Sequence, residues 1–173
     1  MSGDTSLHFV ANRSGDDCHA VEAADLLIRH GASTSPLNCH GSTPLHWVHS
    51  TGQLKMLSDT TADMISLLVN AGADVNAGTQ TTPFIETTQR IDTRLISWEY
   101  YRSSPPHIEV LDMMIMRGAN VNAKDTYGNT ALHYATLSAL PWMVTWLLEH
   151  GASMDIENLN GHIPLAMILD RRT

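Results

Sequence analysis

The sequence predicts an all-α solenoid of stacked helix–turn–helix units joined by hairpin fingers, and three observations carry that prediction. Four Gly-Ala pairs, Gly31-Ala32, Gly72-Ala73, Gly118-Ala119 and Gly151-Ala152, each close an apolar-rich stretch of helical character. Downstream of each pair a helix-start signature recurs, at Thr43-Pro44-Leu45-His46, Thr82-Pro83-Phe84-Ile85, Thr130-Ala131-Leu132-His133 and Ile163-Pro164-Leu165-Ala166; an earlier copy is Thr5-Ser6-Leu7-His8. The last two signatures lie 33 residues apart. A fixed period of that size marks an array in which each unit hides its apolar face only against its neighbours.

The elements follow in order. The first unit begins at Thr5, a residue type that caps orphan amides at helix starts, and its second helix is the run VEAADLLIRH before Gly31. The second unit starts at Thr43-Pro44, where proline at the first helical position loses no needed donor, and ends with MISLLVNA before Gly72. The third pairs Thr82-Pro83 with IEVLDMMIMR, the fourth pairs Thr130 with WMVTWLLEH, and a fifth stops after its first helix. Glycine just past each apolar helix supplies the left-handed conformation that ends it. Segments such as GADVNA and GANVNA then turn the chain back as a hairpin finger. The units read as 1–37, 38–78, 79–124, 125–157 and a partial 158–173, all in one domain.

The internal spacing departs from regularity. From signature to glycine the fourth unit takes 21 residues, Thr130 to Gly151, whereas the first three take 26, 29 and 36. The excess falls between the two helices of a unit, on the face opposite the fingers. In the longest insertion Ile91, Leu95 and Trp98 recur at the i, i+4, i+7 spacing of a helical stripe. The first helix of the third unit is therefore expected to run on, its stripe packed on Leu54, Met56 and Leu57 of the second insertion. Trp98, Tyr100, Tyr101 and Arg102 would sit at its tip. Tyr, Trp and Arg dominate binding hot spots, so this tip is a candidate partner contact. Pro105-Pro106 is expected to begin the next helix.

Composition narrows the function classes. A net charge of −8 argues against a phosphate-binding surface, which needs clustered Lys and Arg, so nucleic acid is not an expected partner. No apolar run approaches the roughly 18 residues that cross a bilayer, and the first residues lack the pattern of a signal peptide. Cys18 and Cys39 make no disulfide framework. These features read as a soluble, cytoplasmic protein without membrane insertion. The best metal-like spacing is Cys39, His40, His46 and His49. Zinc needs four converging ligands, and here two fall at a finger tip while His46 belongs to a helix start. Neither a metal nor a cofactor is expected.

The stretch DTYGNTALHYATLSALPWMVTWLLEHGA, residues 125–152, resembles the ankyrin repeat nearly position by position, and the T-P-L-H-type signatures extend the resemblance over the whole chain. The resemblance implies a protein–protein interaction scaffold whose concave surface is made of first helices and finger tips. Matching positions places Trp47, His49, Ser50, Glu86, Gln89, Arg90, Tyr134, Ser138, Met167 and Asp170 on or near that surface. His40, Ser42, Tyr127, Asn129, Asn160 and His162 would edge it. It also implies that His8, His46 and His133 bridge the backbone of neighbouring turns.

The finger GADVNAGTQTTP is two residues shorter than its counterparts, which would widen the groove beside Glu86. Asn76 and Asn122 occupy the finger position that asparaginyl hydroxylases modify in proteins this chain resembles. The implied partner is another protein. The alternative is an enzyme in which His49 and Glu86 form an acid–base pair acting on a small molecule in a groove lined by Trp47 and Tyr134. No catalytic motif of recognisable spacing accompanies that pair.

Overall fold

A computed structural model describes residues 3–13, 19–48, 59–89 and 106–167. The described residues are helical and contain no strand. Seven α-helices occur among them: α1 (Ser6–Asn12), α2 (Ala20–Arg29), α3 (Asp59–Asn70), α4 (Pro83–Gln89), α5 (Pro106–Met116), α6 (Ala131–Leu137) and α7 (Pro141–Glu149). A short 3₁₀ helix, Pro44–Trp47, takes the place of a first helix after the first finger. It ends at Val48, whose backbone is extended with φ −73° and ψ 92°. The Thr-Pro start expected at residue 43 is thus present, but the turns that follow are tighter than those of α1 and α6.

Three starts in the inner row, those of α1, the 3₁₀ helix and α6, are set by a Thr–His pair three residues apart. Thr5, Thr43 and Thr130 are extended, and each closes a capping box with its histidine. The threonine N–H donates to imidazole Nδ1 at 3.1 Å for His8, 3.0 Å for His46 and 3.1 Å for His133. Nδ1 is therefore the acceptor, the proton sits on Nε2, and Nε2–H donates to a carbonyl of the following finger. Those bonds run from His8 to Ser42 (3.0 Å), from His46 to Thr81 (3.1 Å) and from His133 to His162 (3.0 Å). The implied bridging role of the three histidines is what the geometry contains. At the corresponding position α4 carries Ile85, fully buried, so apolar packing replaces the polar link there.

Helix ends are equally local. After α3 and α5, Gly72 and Gly118 adopt φ of 86° and 85°, the region open to glycine without a Cβ penalty. The next amides, Ala73 and Ala119, reach back to the carbonyls of Leu68 and Met114 at 2.9 Å, satisfying acceptors that the helix leaves open. Four fingers follow, over residues 31–43, 72–82, 118–130 and 151–163, named first to fourth below. Their tips are stitched by main-chain bonds from Thr79 to Gly41 (3.1 Å), Thr126 to Gln80 (2.9 Å) and Leu159 to Tyr127 (3.0 Å).

Two rows of helices result. The 3₁₀ helix packs between α1 and α4, and α4 packs on α6, forming the row next to the fingers. The outer row stacks α2 on α3 and α3 on α5. Between the rows lies a continuous core that includes Leu7, Leu45, Leu68, Phe84, Met114 and Leu147. Small residues, Ala11, Ala131 and Ala135, let the inner row approach closely. Outer-row contacts also use polar groups: the Trp146 indole N–H donates to Asp112 at 3.1 Å, and the Arg117 guanidinium donates to the Val69 carbonyl at 2.9 Å and to Asn70. Among the described residues no helix is long and apolar enough to cross a membrane. The expected extension of the first helix beyond Gln89, and its packing on the second insertion, lie outside the described residues.

Candidate functional site

A groove of about 380 Å³ opens on the finger side of the inner row. Asn12 from the end of α1, His40 and Ser42 from the first finger, His46 and Trp47 from the 3₁₀ helix, Gln80 and Thr81 from the second finger, and Glu86 from α4 line it. The first finger is held by Asn38, whose carboxamide oxygen accepts from the amides of His40 (2.9 Å) and Ser42 (3.0 Å) while its nitrogen donates to Asp4 (2.8 Å). An Asx turn of this kind fixes a tip without regular secondary structure.

The second finger owes its position to its shortness and to Gly78. At φ 144° a Cβ on Gly78 would stand 2.1 Å from the Thr81 carbonyl oxygen and 2.8 Å from His46 Nε2. Only glycine lets this finger close onto the His46 ring. Burial pushes the His46 pKa below its usual 6.5, opposed by the Thr81 carbonyl and the negative charge of Glu86. The imidazole is thus neutral at pH 7, with both nitrogens engaged, and it is not placed to act as a metal ligand. Trp47 is half-buried, edge-on to the His8 ring at a centroid distance of 5.9 Å. Glu86 contributes a formal negative charge to the described lining of the groove.

The residues expected on the concave surface divide four ways, with Asn160 among the exposed ones. Trp47, Glu86, His40 and Ser42 meet in the groove. Gln89 and Ser138 are exposed, and Tyr127 is 69% exposed at the third finger tip, next to Leu159 at 77%. Tyr134, Asn129 and Met167 are occupied within the fold, and His162 is half-buried with its main chain bonded to His133 and Asn158. The Tyr134 hydroxyl donates to the Asp125 carboxylate and accepts from Asn129 Nδ2 (3.2 Å), and its pKa is pushed up to about 12 by burial and by that carboxylate. Asn129 is buried and accepts from Asn158 (2.8 Å), whose nitrogen also lies 3.7 Å from the Met167 sulfur. His49, Ser50, Arg90, Trp98, Tyr100, Tyr101, Arg102 and Asp170 lie outside the described residues, as does any pairing of His49 with Glu86.

The two finger asparagines are bridges. Asn76 donates to the Gly118 carbonyl and accepts from the Asn120 amide, both at 2.8 Å. Asn122 repeats the pattern one unit on, to Gly151 (3.0 Å) and from Ser153 (2.8 Å).

Sequence reasoning missed Asn12, Gln80 and Thr81. Asn12 follows His8 by four residues and so shares its helix face, which is the signal that was available. Gln80 and Thr81 join the groove only because the short finger swings inward. It also missed an apolar cleft of about 690 Å³ beside α7, lined by residues such as Leu140, Val144, Leu148, Met154 and Leu165. Met154 holds the position after a Gly-Ala pair that Val75 fills in the second finger; Val75 is 3% exposed and Met154 60%.

Comparison with known proteins gives a consistent answer. A family model described as "Ankyrin repeat" matches residues 40–80, and one described as "Ankyrin repeats (3 copies)" matches residues 102–165. Similar curated proteins include an ankyrin repeat domain-containing protein, SAT10, of Stachybotrys chartarum, 30% identical over 75% of this chain and 7% of the relative. The mouse B-cell lymphoma 3 protein homolog is 28% identical over 85% of this chain and 37% of its own length. Human ankyrin repeat and SOCS box protein 6 is 35% identical over 69% of this chain and 24% of its length. The chain therefore spans well under half of each of these relatives.

Proposed function

The chain belongs to the ankyrin-repeat family, and from that premise we propose that it binds another protein through its concave groove and finger tips. The observation that carries the reading is the meeting of Trp47, Glu86, His40 and Ser42 in one solvent-open groove, with Tyr127 and Leu159 exposed at the tips of the third and fourth fingers. An aromatic wall, a charge and a rim of exposed apolar tips are the ingredients of a protein contact surface. Gln89 and Ser138, exposed at the ends of α4 and α6, add polar positions to the proposed surface. His49, Ser50 and Arg90 belong to the proposed surface by position, and Trp98, Tyr100, Tyr101 and Arg102 form a proposed second contact on the third-unit insertion. Tyr134 contributes indirectly by holding Asp125 and the third finger.

The test is capture of a partner from the source cell by the wild-type chain and by a Tyr127→Ala, Gln89→Arg variant. Both positions are exposed, so the helical circular dichroism spectrum and melting temperature are expected to be unchanged while the partner is lost. Equal capture of the same protein by both chains would contradict the reading.

A further inference from the structure

We propose that Asn160, at the tip of the fourth finger, is a site of spontaneous deamidation through a succinimide, made reactive by Gly161 and restrained by the turn that the Gly161 amide closes. The proposal is independent of the protein-binding reading and concerns the chemistry of one edge of that surface.

The sequence singles out the position. Asparagine is thermolabile because the main-chain nitrogen of the next residue can reach its side-chain Cγ. A side chain on that next residue crowds the approach, and glycine brings none. Asn160-Gly161 is the one Asn-Gly pair in the 173 residues; every other asparagine precedes a residue with a Cβ.

The fold narrows the choice further. Asn160 and Gly161 are both exposed. A Cβ on Gly161, at φ 74°, would meet nothing within 4 Å, whereas Gly128, at the same place in the third finger, lies against Asn158 and Leu159 of the fourth. The carboxamides of Asn38, Asn76, Asn120, Asn122, Asn129 and Asn158 are held in hydrogen bonds. What restrains Asn160 is main chain. Its own amide donates to Asn158 Oδ1 at 2.9 Å, and the Gly161 amide donates to the Asn158 carbonyl at 3.0 Å, closing a four-residue turn. The attacking nitrogen is thus already a hydrogen-bond donor, and the turn has to open locally before it reacts.

In the reaction the Gly161 nitrogen gives its proton to water or hydroxide and forms a bond to Asn160 Cγ. The bond from Cγ to Nδ2 breaks, and the nitrogen takes up a proton from water and leaves as ammonia. Water then opens the five-membered succinimide. Attack at Cγ yields aspartate with the original peptide link restored; attack at the main-chain carbonyl yields isoaspartate, whose chain runs through Cβ and Cγ. Either product places a carboxylate beside the exposed Leu159. Isoaspartate also adds one carbon to the main chain next to the residue whose amide bonds the Tyr127 carbonyl at 3.0 Å.

The experiment incubates the purified full chain and a synthetic peptide of residues 156–165 at mildly alkaline pH, and follows both by peptide mapping with mass spectrometry. In the folded chain, conversion is expected at Asn160 before any other asparagine, with aspartate and isoaspartate peptides of equal mass separating on chromatography. Its rate should be roughly two- to tenfold below that of the peptide, the range that one net hydrogen bond is worth. Urea beyond the unfolding transition should bring the two rates together. Asn160→Gln should remove the conversion and leave the helical circular dichroism spectrum unchanged.

Earlier conversion at another asparagine overturns the proposal. So does aspartate formed without isoaspartate, or an Asn160 that stays intact in the folded chain while the peptide reacts. Equal rates in the folded chain and the peptide overturn the restraint assigned to the turn.

Discussion

His46 Nε2 lies 3.1 Å from the carbonyl oxygen of Thr81, and this bond ties a short 3₁₀ helix to the finger of the next unit. The ring's other nitrogen accepts the Thr43 amide at 3.0 Å, so one side chain fixes a helix start and an inter-unit contact together. In an array whose stability is roughly a sum of nearest-neighbour interfaces, such a bond counts toward the whole fold, and it also builds one wall of the groove.

Replacing His46 with alanine leaves the Thr43 amide and the Thr81 carbonyl short of partners and opens a small void. The expected loss is about 2–3 kcal/mol, read by urea denaturation. His30→Ala is the control: His30 is exposed, and its ring bonds the Leu26 carbonyl of its own helix end at 2.8 Å. Its cost is expected to stay within about 0.5 kcal/mol.

The same geometry sets an acid limit. Burial lowers the folded-state pKa of His46 and of His133 below 6.5. Between that folded value and 6.5 the unfolded chain binds more protons, so stability rises with pH across the window and this contribution levels off above it. Urea midpoints are expected to fall as pH is lowered from 7 to 5. Removing His46 and His133 together should flatten that part of the profile.

Gly78 admits no side chain. Gly78→Ala combines an unfavourable φ of 144° with a Cβ 2.1 Å from the Thr81 carbonyl. A cost of about 1–3 kcal/mol is expected, with NMR shifts centred on Thr81, His46 and Trp47. Gly31→Ala makes a useful comparison, because its Cβ would meet nothing within 4 Å and only the φ of 90° would matter.

Asn76→Ala should cost about 1–2 kcal/mol, since both ends of its carboxamide bridge to the following unit. With both ends engaged, a peptide map of the protein from its own cells is expected to contain Asn76 and Asn122 without an added oxygen. Finding that oxygen would establish the modification implied by resemblance to other ankyrin repeats.

Much of this fold was readable because its signals are local. The Thr–His boxes, the glycine turns after Asn70 and Arg117, and the proline start of α5 each depend on residues within a few positions of one another. What escaped depends on distance. Thr81 enters the groove through the register between a short finger and a ring 35 residues earlier. Tyr134 matches a concave-surface position, and the draw of its hydroxyl to Asp125, nine residues back across the finger, is visible only in the fold. The contraction of the second unit's first helix to Pro44–Trp47 had no counterpart in its Thr-Pro-Leu-His start, which matches the longer helices.

Photocrosslinking reports directly which face of the array holds the partner. A benzophenone side chain is placed at Gln80, exposed in the groove, and separately at Glu22, exposed on α2 of the outer row. After irradiation in the source cell, a discrete protein adduct is expected from the Gln80 position and none from Glu22. An adduct that forms from Glu22 and not from Gln80 would contradict it, because the partner would then be held by the outer helices.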